Sequence, residues 1–571
     1  MVYREANIID QNFKSRYWLL AGIVMMAAML VMQPAVSSPD SKVAAASLEV
    51  QSYIVQGENT EAVKRLIEAQ SGVVTSELHI INGAGAMLTE EAAVLLSEMD
   101  DVTVTPNHEV VTIQSIDNVS GVAMASGWTP SADYSEAIGA NDVWAEGVTG
   151  DNVTVAILDT GIDPSLPGLA YDTEGNERLI LDEGANFVEE DSLPLDDHGH
   201  GTHVAGIVAN SEIGADGNWN GVAPDATLLP VRVLDNTGFG SYETVIEGIQ
   251  YVVDNRKEYK VKVINLSIVS SVQSPYWADP LNQAVTTAWS KGITVVAAAG
   301  NSGSDAMTIS VPGNNPYVIT VGAFTDNFTP YDMSDDYIAP FSAAGPTLDG
   351  FVKPDVVAPG AHIYSTMSPG TTLAETYPED FVEPNYFTTA GTSQSTAVTT
   401  GVIALMLDNN KQEKKAANKA IRQWNKGVEK GEIDPEVTAQ PERIKNLKPN
   451  NIKYQLTSTA QIWFDLETEE ALYSIWQQGF GRVDAFGAVF EAELDSANQG
   501  MKIRKDLKGK KHYEGFSYYD EETGMFVLYD DPNAGGFGSW AGGFGSWAGS
   551  YIEWDGEYNA EVGGFGSWAG G

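Results

Sequence analysis

Residues 196–206 read DDHGHGTHVAG and contain three of the seven histidines of this 571-residue chain. Zinc hydrolases commonly place two histidines four apart on a helix with a glutamate between them. Here the spacings are two and three, glycines break the segment, and no glutamate lies among the histidines, which argues against a metal site. Gly199 and Gly201 permit a tight turn into a helix and place His200 at its exposed start. There His200 could take a proton from a nucleophile if a carboxylate held its other nitrogen.

The candidate for that carboxylate follows the apolar run 153–158, where the sequence continues as DTGID. A carboxylate at the carboxyl end of a hydrophobic strand is costly to bury without a partner. We therefore expect Asp159 to have a hydrogen-bonding or cationic partner. This motif alone fits a turn-capping aspartate as well as a catalytic one.

The candidate nucleophile is in the segment TAGTSQS at 389–395, which leads into the apolar run 402–407. A serine on a glycine-led turn into a helix can expose its hydroxyl, and backbone N–H groups at the helix start can bind a developing oxyanion. Ser393 could equally be only a helix cap.

Four short apolar runs rich in β-branched residues alternate with amphipathic stretches, at 153–158, 227–233, 261–266 and 293–298. This alternation predicts an α/β fold with a mostly parallel central sheet flanked by helices. In open sheets of this kind the active site lies outside the carboxyl ends of the strands.

The region 48–112 predicts a small α+β, ferredoxin-like domain with the order β-α-β-β-α-β. It is followed by a glycine- and proline-interrupted linker, 113–139. Residues 1–37 combine basic residues, a sixteen-residue apolar run and small residues at 35 and 37. They are typical of a signal peptide, with a signal anchor as the alternative, and predict a secreted or extracellular protein.

The net charge of −46 argues against a nucleic-acid partner, because such affinity depends on basic residues that neutralise phosphates. The absence of cysteine excludes disulfides, a thiolate nucleophile and cysteine-ligated metals. Eleven of the 32 basic residues lie in 411–453, which we interpret as a solvated basic insertion.

The C-terminal part divides into a small extension, 496–531, and a Gly/Trp-rich tail, 532–571. The heptapeptide GFGSWAG occurs three times in the tail, at 536–542, 543–549 and 564–570. Its composition favours a flexible aromatic tail. Retention at a surface, or carbohydrate contact through its tryptophans, is the alternative.

Taken in chain order, the motifs around Asp159, His200 and Ser393 resemble those of the subtilisin-like serine proteases, the subtilases or peptidase S8 family. The resemblance extends over about 140–495. Further matching segments are GVAP at 221–224, AAAGN at 297–301, KPD at 353–355, APG at 358–360 and QGFGRVDA at 478–485.

The resemblance implies a catalytic domain at 140–495 that contains the insertion 411–453. His200 would be the general base, Asp159 would orient it, and Asn301 with the Ser393 N–H would form the oxyanion hole. The domain 48–112 would be an inhibitory propeptide, removed by self-cleavage between 112 and 135. The implied function is a secreted serine endopeptidase that hydrolyses peptide bonds through an acyl-enzyme and is made as a self-processed precursor, or zymogen.

The resemblance also implies a substrate cleft in which a peptide binds by strand addition. One edge would be Gly238, Phe239 and Gly240; the other would be Ser267, Ile268 and Val269; the primary pocket would be lined by Ala298, Ala299, Gly300 and Gly313. Small pocket residues suggest a large apolar side chain in the substrate. The family usually has glycine in place of Val269, and we expect the added β-carbon to crowd a bound peptide and alter the subsite geometry. It usually has methionine in place of Gln394 and proline in place of Ala397, so we expect activity to be altered without being lost.

The expected partners are protein or peptide substrates and the chain's own propeptide, with membrane contact only through an uncleaved N-terminal segment. No cofactor is expected for catalysis. Structural calcium is an expectation from the family, and a loop with Asp216, Asn218 and Asn220 offers the oxygen ligands that calcium favours. Two other functions stay open: a catalytically weak or inactive peptide-binding surface protein, and a processing protease dedicated to one partner.

Overall fold

The structure is a computed structural model that describes residues 49–112, 131–382, 384–463, 471–520, 525–528 and 552–553. The predicted signal segment, most of the predicted linker and most of the repeat tail lie outside the described residues. Within these ranges no helix is both long enough and apolar enough to cross a membrane.

The N-terminal domain is a four-stranded antiparallel sheet with two helices on one face, in the strand order β2-β3-β1-β4. Its elements are β1 (Val50–Gln56), α1 (Thr60–Ala69), β2 (Val73–Leu78), β3 (Gly83–Thr89), α2 (Glu90–Ser97) and β4 (Thr103–Pro106). Asn59 and Thr89 cap the two helices with side-chain oxygens, and Ile67 and Leu96 are fully buried beneath them. This is the β-α-β-β-α-β order that the sequence predicts.

The second body is built around an eight-stranded sheet with the order β14-β13-β12-β10-β6-β8-β7, in which β15 also pairs with β13. Every pairing in it is parallel except that of β14 with β13. The strands are β6 (Thr154–Asp159), β7 (Ala185–Asn186), β8 (Thr227–Arg232), β10 (Val261–Leu266), β12 (Thr294–Ala298), β13 (Ile319–Thr325), β14 (Tyr337–Ile338) and β15 (Val356–Pro359). The prediction of a mostly parallel α/β sheet is therefore confirmed.

Helices cover both faces of this sheet, which explains why its strands are continuous apolar runs rather than alternating ones. They are α3 (Tyr134–Ala137), α4 (Ala140–Ala145), α5 (Pro167–Ala170), α6 (His200–Ala209), α7 (Tyr242–Asn255), α8 (Pro280–Ser290), α9 (Thr372–Thr376), α10 (Thr392–Glu429), α11 (Pro449–Thr459) and α12 (Ile475–Gln478). Smaller strands lie at its edges: β5 (Glu109–Thr112), β9 (Phe239–Ser241), β11 (Ile268–Val269), β16 (Ile363–Thr366), β17 (Phe381–Val382) and β18 (Tyr386–Thr389).

The basic insertion 411–453 begins as a continuation of helix α10, which runs for 38 residues. The first four turns of α10 are buried, and the part of the helix after residue 410 is largely exposed. Irregular chain then leads to α11. The insertion therefore begins as a solvent-exposed extension of the buried helix α10.

A buried carboxylate is among the groups that join the C-terminal extension to the second body. Asp506, in α13 (Ile503–Asp506), accepts hydrogen bonds from the hydroxyls of Tyr276 at 2.6 Å and Tyr317 at 2.7 Å. Its other oxygen contacts His512 Nδ1 at 2.7 Å. Four short strands complete the extension and the described part of the tail: β19 (Tyr513–Glu514), β20 (Ser517–Asp520), β21 (Met525–Leu528) and β22 (Ile552–Glu553).

Candidate active site

Asp159 and His200 meet at the carboxyl end of the central sheet. Strand β6 ends at Asp159 and helix α6 begins at His200, and His200 Nδ1 lies 2.8 Å from Asp159 Oδ1. Both residues are fully buried, and Thr160 N donates to the same oxygen at 2.8 Å. His200 Nε2 is buried without a hydrogen-bond partner among the described residues. The expected partner of Asp159 is thus this imidazole, whose second nitrogen remains available for proton transfer.

The turn before α6 is held by Asp196, a residue to which the sequence analysis assigned no role. Its carboxylate accepts hydrogen bonds from the backbone N–H groups of His198, Gly199 and Thr202 at 2.8 to 3.0 Å. It also accepts from Thr160 Oγ1 at 2.9 Å, which ties the turn to the end of β6. An aspartate four residues before a helix whose first N–H groups need acceptors was the available signal.

Ser393 lies in the first turn of α10 and is fixed to the end of strand β10. Its Oγ donates to the Ser267 carbonyl at 3.0 Å, and Ser267 Oγ donates in return to the Ser393 carbonyl at 2.8 Å. Both serines are fully buried. The structure therefore brings the candidate nucleophile to the same edge of the sheet as the Asp159–His200 pair.

Asn301, just beyond β12, is oriented by the start of the serine helix. Its Oδ1 accepts from Thr392 N at 3.0 Å and from Thr392 Oγ1 at 2.9 Å. The amide nitrogen Nδ2 is buried and has no acceptor among the described residues. A donor held in this way beside the serine can stabilise negative charge that develops on a substrate oxygen.

A strand of the chain itself occupies the cleft between the two predicted substrate-binding edges. Strand β5 pairs antiparallel with β9 on one side and with β11 on the other. Thr112 N also donates to the Gly238 carbonyl at 2.9 Å. Val269 pairs with Val111 in this register, so the position where its β-carbon is expected to crowd a peptide lies against the chain's own strand.

The predicted primary-pocket residues lie together at the end of β12 and just beyond it. Ala299 is buried against Ile309 and Ala343. A β-carbon on Gly313 would lie 2.5 Å from the Ala298 carbonyl oxygen, so this close approach requires glycine. Gly300 adopts a φ of 120°, a conformation that also favours glycine.

His198 is a cleft residue that the sequence analysis did not single out from the histidine cluster. Its Nε2 lies 3.1 Å, and Thr112 Oγ1 2.6 Å, from the point that a β-carbon on Gly238 would occupy. The imidazole therefore faces the side chain of the last described residue of β5. Burial, followed by repulsion from His200, lowers the pKa of His198.

The third histidine, His203, contacts the Phe387 carbonyl at 3.1 Å, and burial lowers its pKa to about 3, which keeps it neutral.

Gln394 and Ala397, the two departures on the serine helix, are both fully buried. Neither amide atom of Gln394 has a hydrogen-bond partner among the described residues. The amide thus adds a polar group next to the nucleophile where the family usually has a thioether.

The predicted calcium loop brings two of its three oxygen donors together. Asp216 Oδ1 and Asn220 Oδ1 lie 2.7 and 2.9 Å from the point that a β-carbon on Gly214 would occupy. Asn218 instead directs its amide nitrogen to Glu136 Oε1. Two converging oxygens fit a hard cation in part, and Asn218 would have to turn to contribute.

A buried carboxylate–imidazole pair, a serine at a helix start and an oriented amide donor are the groups that triad serine hydrolases use. The sequence model of the Subtilase family matches residues 150–475. The chain belongs to that family and is a subtilisin-like serine endopeptidase.

Its relatives are bacterial proteases. It is 42% identical to Serine protease AprX of Bacillus subtilis over 284 residues, which cover 48% of this chain and 62% of that protein. It is 33% identical to Subtilisin E of Bacillus subtilis over 399 residues, which cover 68% of this chain and 88% of that protein. The crystal structure of fervidolysin from Fervidobacterium pennivorans, a keratinolytic enzyme related to subtilisin, has the same fold, with a TM-score of 0.54 and 24% identity over 80% of this chain and 63% of that one.

Proposed function

We propose that the chain is an exported precursor whose N-terminal domain inhibits the active site and is released when the enzyme cleaves itself. The observation that carries this proposal is strand β5, which fills the cleft as a peptide substrate would. Protein or peptide substrates would take the same place after release.

Contacts of the N-terminal domain with α7 and α8 support its role as an inhibitor. Gln56 Nε2 donates to Gln283 Oε1 at 2.7 Å, and Ile80 N donates to Gln250 Oε1 at 3.1 Å. Asn107 and Glu243 exchange two hydrogen bonds of 3.0 and 3.2 Å. These contacts fix the domain so that β5 enters the cleft in one register.

In the proposed mechanism Ser393 Oγ attacks the peptide carbonyl while His200 Nε2 accepts its proton. Asp159 stabilises the imidazolium that forms, and Asn301 Nδ2 with the Ser393 N–H binds the oxyanion. His200 then returns the proton to the leaving amine. In the second half of the reaction water attacks the acyl group, His200 accepts the proton of that water, and His200 then gives it to Ser393 Oγ as the acyl group is released.

The register of β5 identifies the bond that we expect to be cut. Thr112 pairs with Ile268 in antiparallel alignment. If the same register continued by one residue in the complex that is cleaved, residue 113 would pair with Ser267. Because Ser393 Oγ lies 3.0 Å from the Ser267 carbonyl, that pairing would bring residue 113 to the nucleophile. We place the scissile bond between Ile113 and Gln114.

Comparing the wild-type precursor with Ser393→Ala tests the proposal. We expect the wild type to shed its N-terminal part, to begin at Gln114 and to react at Ser393 with a sulfonyl fluoride, because all three require the activated hydroxyl. Ser393→Ala should do none of these. Mass spectrometry of the intact chains and of labelled peptides measures each.

Ser395→Ala is the matched control, since Ser395 lies in the same helix turn and its Oγ donates to the Ala358 carbonyl. It should process and label normally. A wild-type chain that stays intact and unlabelled in folded form would support a peptide-binding role instead.

Val110→Asp is expected to weaken inhibition by the N-terminal domain. Val110 is fully buried opposite Gly240, so the variant would place a carboxylate in an apolar site. For a central interface residue we expect the cleaved N-terminal domain to bind the active site with about a 30-fold higher Kd. In progress curves with a chromogenic peptide, the lag between self-cleavage and the appearance of peptidase activity should shorten.

Val94→Asp, at a position 50% exposed on α2, is the control and should leave this lag unchanged. Equal lags in the two variants would refute the inhibitory role.

We also propose that the loop with Asp216 and Asn220 holds a structural calcium ion, and that the N-terminal segment exports the chain. The convergence of the two side-chain oxygens supports the first, and the basic and apolar residues of 1–37 support the second.

A further inference from the structure

Three buried side chains from separate parts of the chain converge away from the Asp159–His200–Ser393 arrangement. They are Asp133, just before α3; Asp326, just after β13; and His362, just before β16. One ligand atom from each lies within 4.8 Å of the other two. The residues are only 7%, 3% and 4% exposed, so the cluster is enclosed rather than a solvated surface group.

His362 is oriented in the way that metal-binding histidines usually are. Its Nε2 faces the carboxylates and lies 2.6 Å from Asp326 Oδ1, while Nδ1 lies 3.4 Å from Thr325 Oγ1. A ligating imidazole commonly uses its other nitrogen to contact an oxygen in this manner. Phe328 stacks on the ring with centroids 3.8 Å apart and fixes its plane.

The backbone around the cluster is also held in an unusual conformation. His362, Asn327 and Phe328 adopt φ values of 46°, 50° and 64°. Non-glycine residues in this region cost free energy and persist where the surroundings enforce them, which is often at functional sites.

The cluster brings two carboxylates, Asp133 and Asp326, to a single imidazole. The Asp133 side chain makes no capping hydrogen bond to the start of α3. A bound cation would offset the negative charge that these two carboxylates bring together.

We propose that Asp133, Asp326 and His362 bind one divalent transition-metal ion of the zinc or manganese class. One imidazole nitrogen with two carboxylates suits these ions, whereas calcium takes oxygen ligands. The ion would join the segment that follows the linker to two loops at the edge of the central sheet. Its role is structural, because none of its ligands belongs to the proposed catalytic set.

Titration calorimetry on the full chain carrying Ser393→Ala, which prevents self-cleavage, tests this site. We expect one equivalent of Zn²⁺ or Mn²⁺ to bind and to raise the melting temperature. Adding Asp133→Asn or His362→Gln should weaken binding at least about tenfold, since even outer-shell changes have effects of this size. Asp332→Asn is the matched control, because Asp332 lies in the same loop as Asp326 and its carboxylate accepts hydrogen bonds from Ser334 alone among the described residues.

Two further measurements keep the test decisive. X-ray absorption of the zinc-loaded Ser393→Ala chain should show one imidazole ligand, and this needs no variant at the site. Ca²⁺ bound at Asp216 should be unaffected by His362→Gln. The proposal fails if the chain binds neither ion stoichiometrically, if the bound zinc lacks an imidazole, or if folded Asp133→Asn and His362→Gln bind as tightly as the parent chain.

Discussion

Replacing His200 by alanine is expected to slow cleavage of the precursor by about 10⁶-fold, close to the loss caused by removing the corresponding histidine of subtilisin. The reason is geometric. His200 Nδ1 is committed to Asp159 at 2.8 Å, so Nε2 is the nitrogen that can take the Ser393 proton. Without it the hydroxyl attacks almost unassisted. The rate constant for loss of the N-terminal domain, followed by mass spectrometry, measures the effect.

His198→Gln is the control for this prediction, because the residue lies two positions earlier in the same turn and transfers no proton in the proposed mechanism. Its effect on the rate should be small by comparison. If His200→Ala processed within about tenfold of the wild type, general-base catalysis by this histidine would be ruled out. Adding Asp159→Asn to His200→Ala should cost little more, since the two residues act as a unit.

The sequence predicted the large features of the fold because they depend on local patterns. Continuous apolar runs indicated the buried parallel strands. Apolar residues spaced to lie on one helix face indicated both helices of the N-terminal domain. The expectation that Asp159 needs a partner also followed from one residue's place at a strand end. Such inferences require only burial and periodicity.

The parts that could not be predicted depend on contacts between distant segments. Asp196 was missed because its role appears only when its oxygens meet the start of α6. The pairing of Gln56 with Gln283 joins residues 227 positions apart, and no local pattern encodes it. The register of β5 in the cleft likewise depends on how the N-terminal domain packs against the catalytic domain.

Replacing Asn301 by leucine is expected to lower kcat by about 10²- to 10³-fold with little change in KM. Its amide nitrogen is a buried donor without a partner among the described residues, which suits an oxygen that becomes negative only in the transition state. Steady-state kinetics of the processed enzyme on a peptide substrate would separate kcat from KM.

Thr392 supplies the companion test, because its N–H and hydroxyl both hold Asn301 Oδ1. Thr392→Val removes the hydroxyl and should lower kcat less than Asn301→Leu does, whereas Thr392→Ser should restore the rate. The double variant Thr392→Val with Asn301→Leu should be no slower than Asn301→Leu alone, since the hydroxyl would then have no amide to orient. If Asn301→Leu instead raised KM and left kcat intact, the amide would bind the ground state of the substrate, and oxyanion stabilisation would fall to the Ser393 N–H alone.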